Sequence, residues 1–143
     1  MTDQELIAIA ARARQNAYAP YSGYAVGAAL LTRSGRVYTG CNVENAVYPL
    51  CMCAERTALF KAVSEGERAF EAIAVVTSNG GMPCGSCRQV LAEFGGDMRV
   101  LIATPDRLTA EKRVADLLPD AFGAKDLAQN LVPLALDRQI QRP

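Results

Sequence analysis

Histidine and tryptophan are missing from the 143 residues, and the first of these absences excludes whole classes of mechanism. Without histidine there is no serine–histidine or cysteine–histidine nucleophilic pair. A zinc site must be built from cysteines or carboxylates. A general base must be a carboxylate, a lysine, a tyrosine or a metal-bound water. Charge imbalance is absent too: Lys plus Arg and Asp plus Glu each number 15, so the formal net charge is zero. A protein that tracks a nucleic-acid backbone carries a basic excess, so no nucleic-acid partner is expected. No apolar run approaches the ~20 residues of a membrane span. The polar start Thr2-Asp3-Gln4-Glu5 has no basic region leading into an apolar stretch. The expectation is a cytoplasmic protein without a membrane partner. Repeats, low-complexity tracts and linkers are also lacking, and 143 residues suit one domain with one core, expected to span residues 1–143.

What is present reads as alternating helices and strands. Thr2-Asp3-Gln4-Glu5 has capping-box spacing, and Leu6, Ile7, Ala10, Ala13 and Ala17 follow with helical period until Pro20. Ala25 to Thr32 and Arg36 to Gly40 predict a hairpin around Ser34-Gly35. Cys53 to Ser64 predicts a helix, Ala72 to Thr77 a buried strand, and Cys84 to Phe94 a second helix closed by Gly95-Gly96. Arg99 to Ala103 predicts a strand and Val114 to Leu118 a short helix; from Ala121 to Pro143 the pattern assigns no element. This order implies an α/β domain with helices packed on a sheet, and the early hairpin makes that sheet mixed.

The residues that carry chemistry are Cys53-Ala54-Glu55 and Pro83-Cys84-Gly85-Ser86-Cys87. Both groups fall at predicted helix starts, where free N–H groups and the positive dipole end favour thiolates. Cys84 and Cys87, three apart, share one helix face and can grip one ion, with Cys53 as a third ligand. Three thiolates leave one tetrahedral position for water, the mark of a catalytic zinc site. Glu55 stands where it can move that water's protons, and Arg56 can offset the negative charge of the thiolates. Two other readings stay open on these residues alone. A redox pair accounts for Cys84 and Cys87 but has no use for Cys53-Ala54-Glu55. A closed structural zinc site needs a fourth ligand, which Cys51 could supply. Cys41 and Cys51 otherwise read as small buried residues.

A ligand-x-Glu segment followed by Pro-Cys-x-x-Cys is the signature of the zinc deaminases. More of the chain agrees with it: Tyr18-Ala19-Pro20-Tyr21-Ser22, Val26-Gly27-Ala28-Ala29-Leu30, Gly40-Cys41-Asn42-Val43-Glu44-Asn45, Cys87-Arg88-Gln89-Val90, Leu117-Leu118-Pro119 and Ala121-Phe122. From about residue 5 to about residue 127 the chain resembles the small homotetrameric cytidine deaminases. The resemblance implies a three-layer α/β/α fold with a mixed central sheet. It also implies one Zn²⁺ per chain on Cys53, Cys84 and Cys87, with Glu55 as the proton shuttle and Arg56 bonded to the ligand sulfurs. Asn42 and Glu44 would hold the ribose hydroxyls, the Ala54 backbone would read the pyrimidine edge, and Phe122 would reach into a neighbouring subunit's site. Tyr24 stands at a wall of the base pocket where the family usually has phenylalanine; its plainer reading is a core aromatic. The implied reaction is hydrolysis of cytidine and 2′-deoxycytidine to uridine and 2′-deoxyuridine with release of ammonia, a step of pyrimidine salvage. Deaminases of nucleoside-like antibiotics or of polynucleotides share the metal motif, as would a non-catalytic zinc module. The pair Asn42 and Glu44, the neutral charge and Glu55 beside an open metal position speak against these in turn.

Overall fold

The expectation of helices on a mixed sheet is met in a computed structural model that describes residues 1–127; the remainder of the expected 1–143 domain lies outside the described residues. The element order is α1 (Asp3–Arg14), β1 (Gly27–Thr32), β2 (Val37–Cys41), a 3-10 turn (Tyr48–Leu50), α2 (Ala54–Ser64), β3 (Phe70–Val76), α3 (Gly85–Ala92), β4 (Arg99–Ala103), β5 (Leu108–Arg113), α4 (Val114–Leu117) and α5 (Ala124–Leu127). The strands form one 5-stranded sheet in the order β2-β1-β3-β4-β5. Among the described strands only β3 and β4 run parallel, and α3 is the crossover between them. The other three pairings are antiparallel.

Side chains alternate between the two faces of a strand, and here the alternation sorts two cores. Leu30, Ile73, Val75, Val100 and Ile102 face α2 and α3. Ala29, Leu31, Ala72, Ala74, Val76 and Leu101 face α1 through Leu6, Ile7 and Ala10. Helices therefore cover both faces, and the fold is the expected α/β/α sandwich. Two glycines set how closely the helices approach. A Cβ at Gly27 would run into the Ala10 carbonyl and the Arg14 amide of α1. One at Gly40 would run into the Ala54 carbonyl and the Ala58 amide of α2.

The capping box predicted at α1 is present: the Glu5 amide donates to Thr2 Oγ1 and the Thr2 amide to the Glu5 carboxylate. The helix ends earlier than its apolar period suggests, at Arg14 with Gln15 as C-cap, so Ala17 lies beyond it. The Asn16 and Ala17 amides still close turns onto Ala13 and Arg14, and Tyr18 then pairs with Val43. Strand β5 was not expected. Its sequence, Leu108-Thr109-Ala110-Glu111-Lys112-Arg113, has no alternating apolar pattern because it is a largely exposed edge strand.

One row of the sheet positions everything that follows. Gly27, the first residue of β1, pairs with Cys41 at the end of β2 and with Val76 at the end of β3. The segments just outside that row, Tyr24–Val26, Asn42–Glu44 and Thr77 onward, are thereby gathered at one edge. Ligand sites in open α/β sheets gather at such strand ends.

Candidate active site

Cys53 and Cys84 are the N-cap residues of α2 and α3, both with extended backbone, at φ −76°, ψ 152° and φ −68°, ψ 167°. Neither cap closes with a side-chain hydrogen bond, so the first-turn N–H groups of both helices remain free to favour negative charge. Cys87 lies one turn into α3 and is fully buried. The three sulfurs lie within 4.8 Å of one another, with Cys53 Sγ 3.8 Å from Cys84 Sγ. A disulfide needs about 2.05 Å, so these are free thiols. Zinc–thiolate bonds of about 2.3 Å in a tetrahedron separate the sulfurs by about 3.8 Å, the spacing seen here. The donor set suits zinc, and three ligands leave a coordination position open.

Electrostatics point the same way. Arg56 Nη2 donates to Cys53 Sγ at 3.3 Å, and Arg56 Nε is buried with no hydrogen-bond partner among the described residues. A half-buried guanidinium so placed is balanced by anionic sulfur. Hydrogen bonding from Cys87, then from Arg56, draws the Cys53 thiol down to about 5. Its bond to Cys53, then burial, pushes the Cys87 thiol up. Cys51, the possible fourth ligand, is turned elsewhere: its Sγ accepts from the Asn45 amide at 3.4 Å and donates to the Asn45 carbonyl at 3.6 Å. Cys41 donates to the Asn16 carbonyl.

Beside the thiols opens a cavity of about 270 Å³, walled by Tyr24, Asn42, Glu44, Cys53, Glu55 and Cys84 together with Ser22, Val26, Val75, Thr77, Gly81 and Met82. Glu55 is only 4% exposed, and burial raises its carboxyl above the usual carboxylate range. Asn42 is clamped by its own side chain, which accepts from the Val26 amide at 2.8 Å and donates to the Tyr24 carbonyl at 2.8 Å. Glu44 accepts from the Ser22 hydroxyl and from the Ser22 and Tyr21 amides, and these bonds hold its carboxyl below the usual range.

The residues singled out in the sequence therefore meet at one place, with two exceptions. Ala54 is fully buried as the first residue of α2. Phe122 is 59% exposed and does not line the cavity; its carbonyl accepts from Gln89 Nε2 at 2.9 Å. Tyr24 is a cavity wall rather than a core aromatic. Sequence reasoning passed over Ser22, Thr77 and Asn79: Ser22 bonds to Glu44 and Asn79 to Tyr24 across distant segments that no local pattern encodes, and Thr77 closes the turn by accepting from the Gly81 amide.

Comparison with known proteins agrees with this geometry. A family model described as the zinc-binding region of cytidine and deoxycytidylate deaminases matches residues 1–104. A protein named cytidine deaminase from Sporosarcina psychrophila is 51% identical over 131 residues, covering 90% of this chain and 96% of its own. One of the same name from Halalkalibacterium halodurans is 52% identical over 130 residues, covering 89% and 98%. The crystal structure of cytidine deaminase from Burkholderia pseudomallei matches with a TM-score of 0.82 and 52% identity, over 85% of this chain and 100% of that one. With its three converged thiols, its buried glutamate and these relatives, the chain belongs to the zinc-binding cytidine and deoxycytidylate deaminase family.

Proposed function

We infer that the chain hydrolyses cytidine, and its 2′-deoxy form, to uridine and 2′-deoxyuridine with release of ammonia. The observation that carries this reading is the buried Glu55 carboxyl in the same cavity wall as Cys53 and Cys84. Zinc held by Cys53, Cys84 and Cys87 supplies Lewis acidity that brings a water's pKa towards ~7. Glu55 then does the proton work. It takes one proton from the attacking water and delivers it to ring N3, then takes the second and delivers it to the departing amino nitrogen. The two protons of water are accounted for, and the carboxyl ends as it began. A raised carboxyl suits a group that must both accept and give within one cycle.

Asn42 and Glu44 are the sugar grip in this reading. The Glu44 carboxylate has about four acceptor sites, three of them taken by Ser22 and Tyr21, so one remains for a ribose hydroxyl. The Asn42 amide, fixed through one N–H and its oxygen, keeps a second N–H for the sugar. Ala54, as the first residue of α2, has an amide with no intrahelical acceptor, available to the pyrimidine edge. Cytidine mixed with the purified protein should lose its absorbance near the cytosine maximum as uridine forms and ammonia accumulates; an unchanged spectrum with zinc-loaded protein would sink the assignment.

The homotetramer with shared sites belongs to the same proposal. Tyr18, Tyr21, Val47, Tyr48, Leu50 and Phe122 are each large, apolar and at least half exposed, side chains of the kind that a subunit surface buries. Phe122 on such a surface can complete a neighbour's cavity. Mixing Phe122→Ala chains with Glu55→Gln chains should then restore part of the activity that each variant lacks. Proven subunit exchange with no recovery would show that each chain builds its site alone. Cytoplasmic location is supported by the free cysteines, which suit a reducing compartment. Among the described residues, no helix is long and apolar enough to cross a membrane.

A further inference from the structure

The segment joining β3 to α3 forms one wall of the cavity and delivers Cys84 to the thiol cluster, yet it has little backbone support. Among the described residues, the backbone of Ser78–Pro83 makes no hydrogen bond to other backbone. Side chains hold it instead. The Tyr24 hydroxyl donates to Asn79 Oδ1 at 2.6 Å across 55 residues of sequence. Thr77 Oγ1 donates to the same oxygen at 3.4 Å and accepts from the Gly81 amide at 2.8 Å. At the far end, Arg88 Nε donates to the Pro83 carbonyl at 2.7 Å.

The glycines in this segment are shaped to that contact. Gly80 has φ +71°, in the left-handed region that glycine enters freely. A Cβ at Gly81 would collide with the Tyr24 hydroxyl. The backbone thus comes up against the phenol itself, and Tyr24, Thr77, Gly81 and Met82 face the cavity together. A phenylalanine in place of Tyr24 would keep the ring and leave Asn79 without its strongest partner.

We propose that Tyr24 is a positioning residue whose hydroxyl, through Asn79, latches the Ser78–Met82 segment into the shape that binds the nucleoside. The inference rests on the deaminase reading of the cavity, because the affinity it sets is affinity for that substrate. The latch acts on binding rather than on proton transfer, since Glu55 sits on α2 and makes no bond to this segment. Removing one hydrogen bond that pre-forms a site lowers affinity by about 5- to 10-fold.

The test compares Tyr24→Phe, Asn79→Ala, the double variant and Asn79→Asp. Tyr24→Phe should raise KM for cytidine about 5- to 10-fold while kcat stays within about 2-fold and zinc content is unchanged. Asn79→Ala should do the same, and the double variant should be no worse than either single. Asn79→Asp, which still accepts from the phenol, should restore KM to near the parent value. Hydrogen exchange gives a readout apart from activity: the Gly81 amide should exchange several-fold faster in Tyr24→Phe, with the strands unaffected. A parent chain that fails to turn over cytidine removes the deaminase reading, and the exchange measurement then decides the latch by itself. An active parent whose KM and Gly81 exchange are unmoved by Tyr24→Phe, or single-variant effects that multiply in the double, would overturn the latch.

Discussion

Replacing Glu55 with glutamine is expected to lower kcat by at least ~10²–10⁴-fold while leaving the fold and the zinc content intact. The range is what one positioned acid–base group contributes; here one carboxyl serves two successive transfers, so the loss should lie at or beyond its upper end. Glutamine keeps the volume and hydrogen-bonding reach of the side chain and removes only the capacity to take a proton. Stability should not suffer. The carboxyl is 4% exposed, and burying an ionisable group opposes folding, so the neutral amide should melt at or above the parent temperature. Steady-state kinetics, metal analysis and a thermal melt on the same preparation separate the outcomes. Near-parental turnover would mean that another group is the base.

The second large effect is expected at Cys87. Cys87→Ala should drop zinc from about one per chain to a trace and take activity with it. The structural loss is small by comparison. Exchanging a buried thiol for a methyl leaves a void worth on the order of 1 kcal/mol, against two cores spread over both faces of the sheet. The apo-like variant should therefore still fold. Cys51→Ala is the matched comparison: its sulfur is occupied with Asn45, and zinc should remain at the parental level. Full zinc in Cys87→Ala, or its loss in Cys51→Ala, would show that the ligand set has been drawn wrongly.

Much of this site was legible in the sequence because its chemistry is local. A thiol two residues before a glutamate, and two thiols one helical turn apart, are spacings that survive folding unchanged. Helix starts are likewise written locally, and Cys53 and Cys84 prove to be the N-caps of α2 and α3. Legibility ends where a residue's role depends on strangers. Asn79 matters through Tyr24, and Ser22 through Glu44, contacts set by which strand ends the sheet brings together. The edge strand β5 escaped detection because its exposed, charged sequence lacks the burial alternation that betrays a strand. Phe122 shows the same limit: it is exposed and lies away from the cavity, a placement that no local pattern encodes.

The three thiols differ in burial. Cys87 is sealed, Cys53 is half-buried and Cys84 is exposed. That gradient gives the cluster a direction as well as a composition. Solution reaches the Cys84 end of the cluster most readily and the Cys87 end least. The outermost of the three, Cys84, follows closely on the segment whose Asn79 accepts from the Tyr24 hydroxyl. The most accessible sulfur of the cluster is thus anchored to a wall of the cavity, and the sealed one to the core.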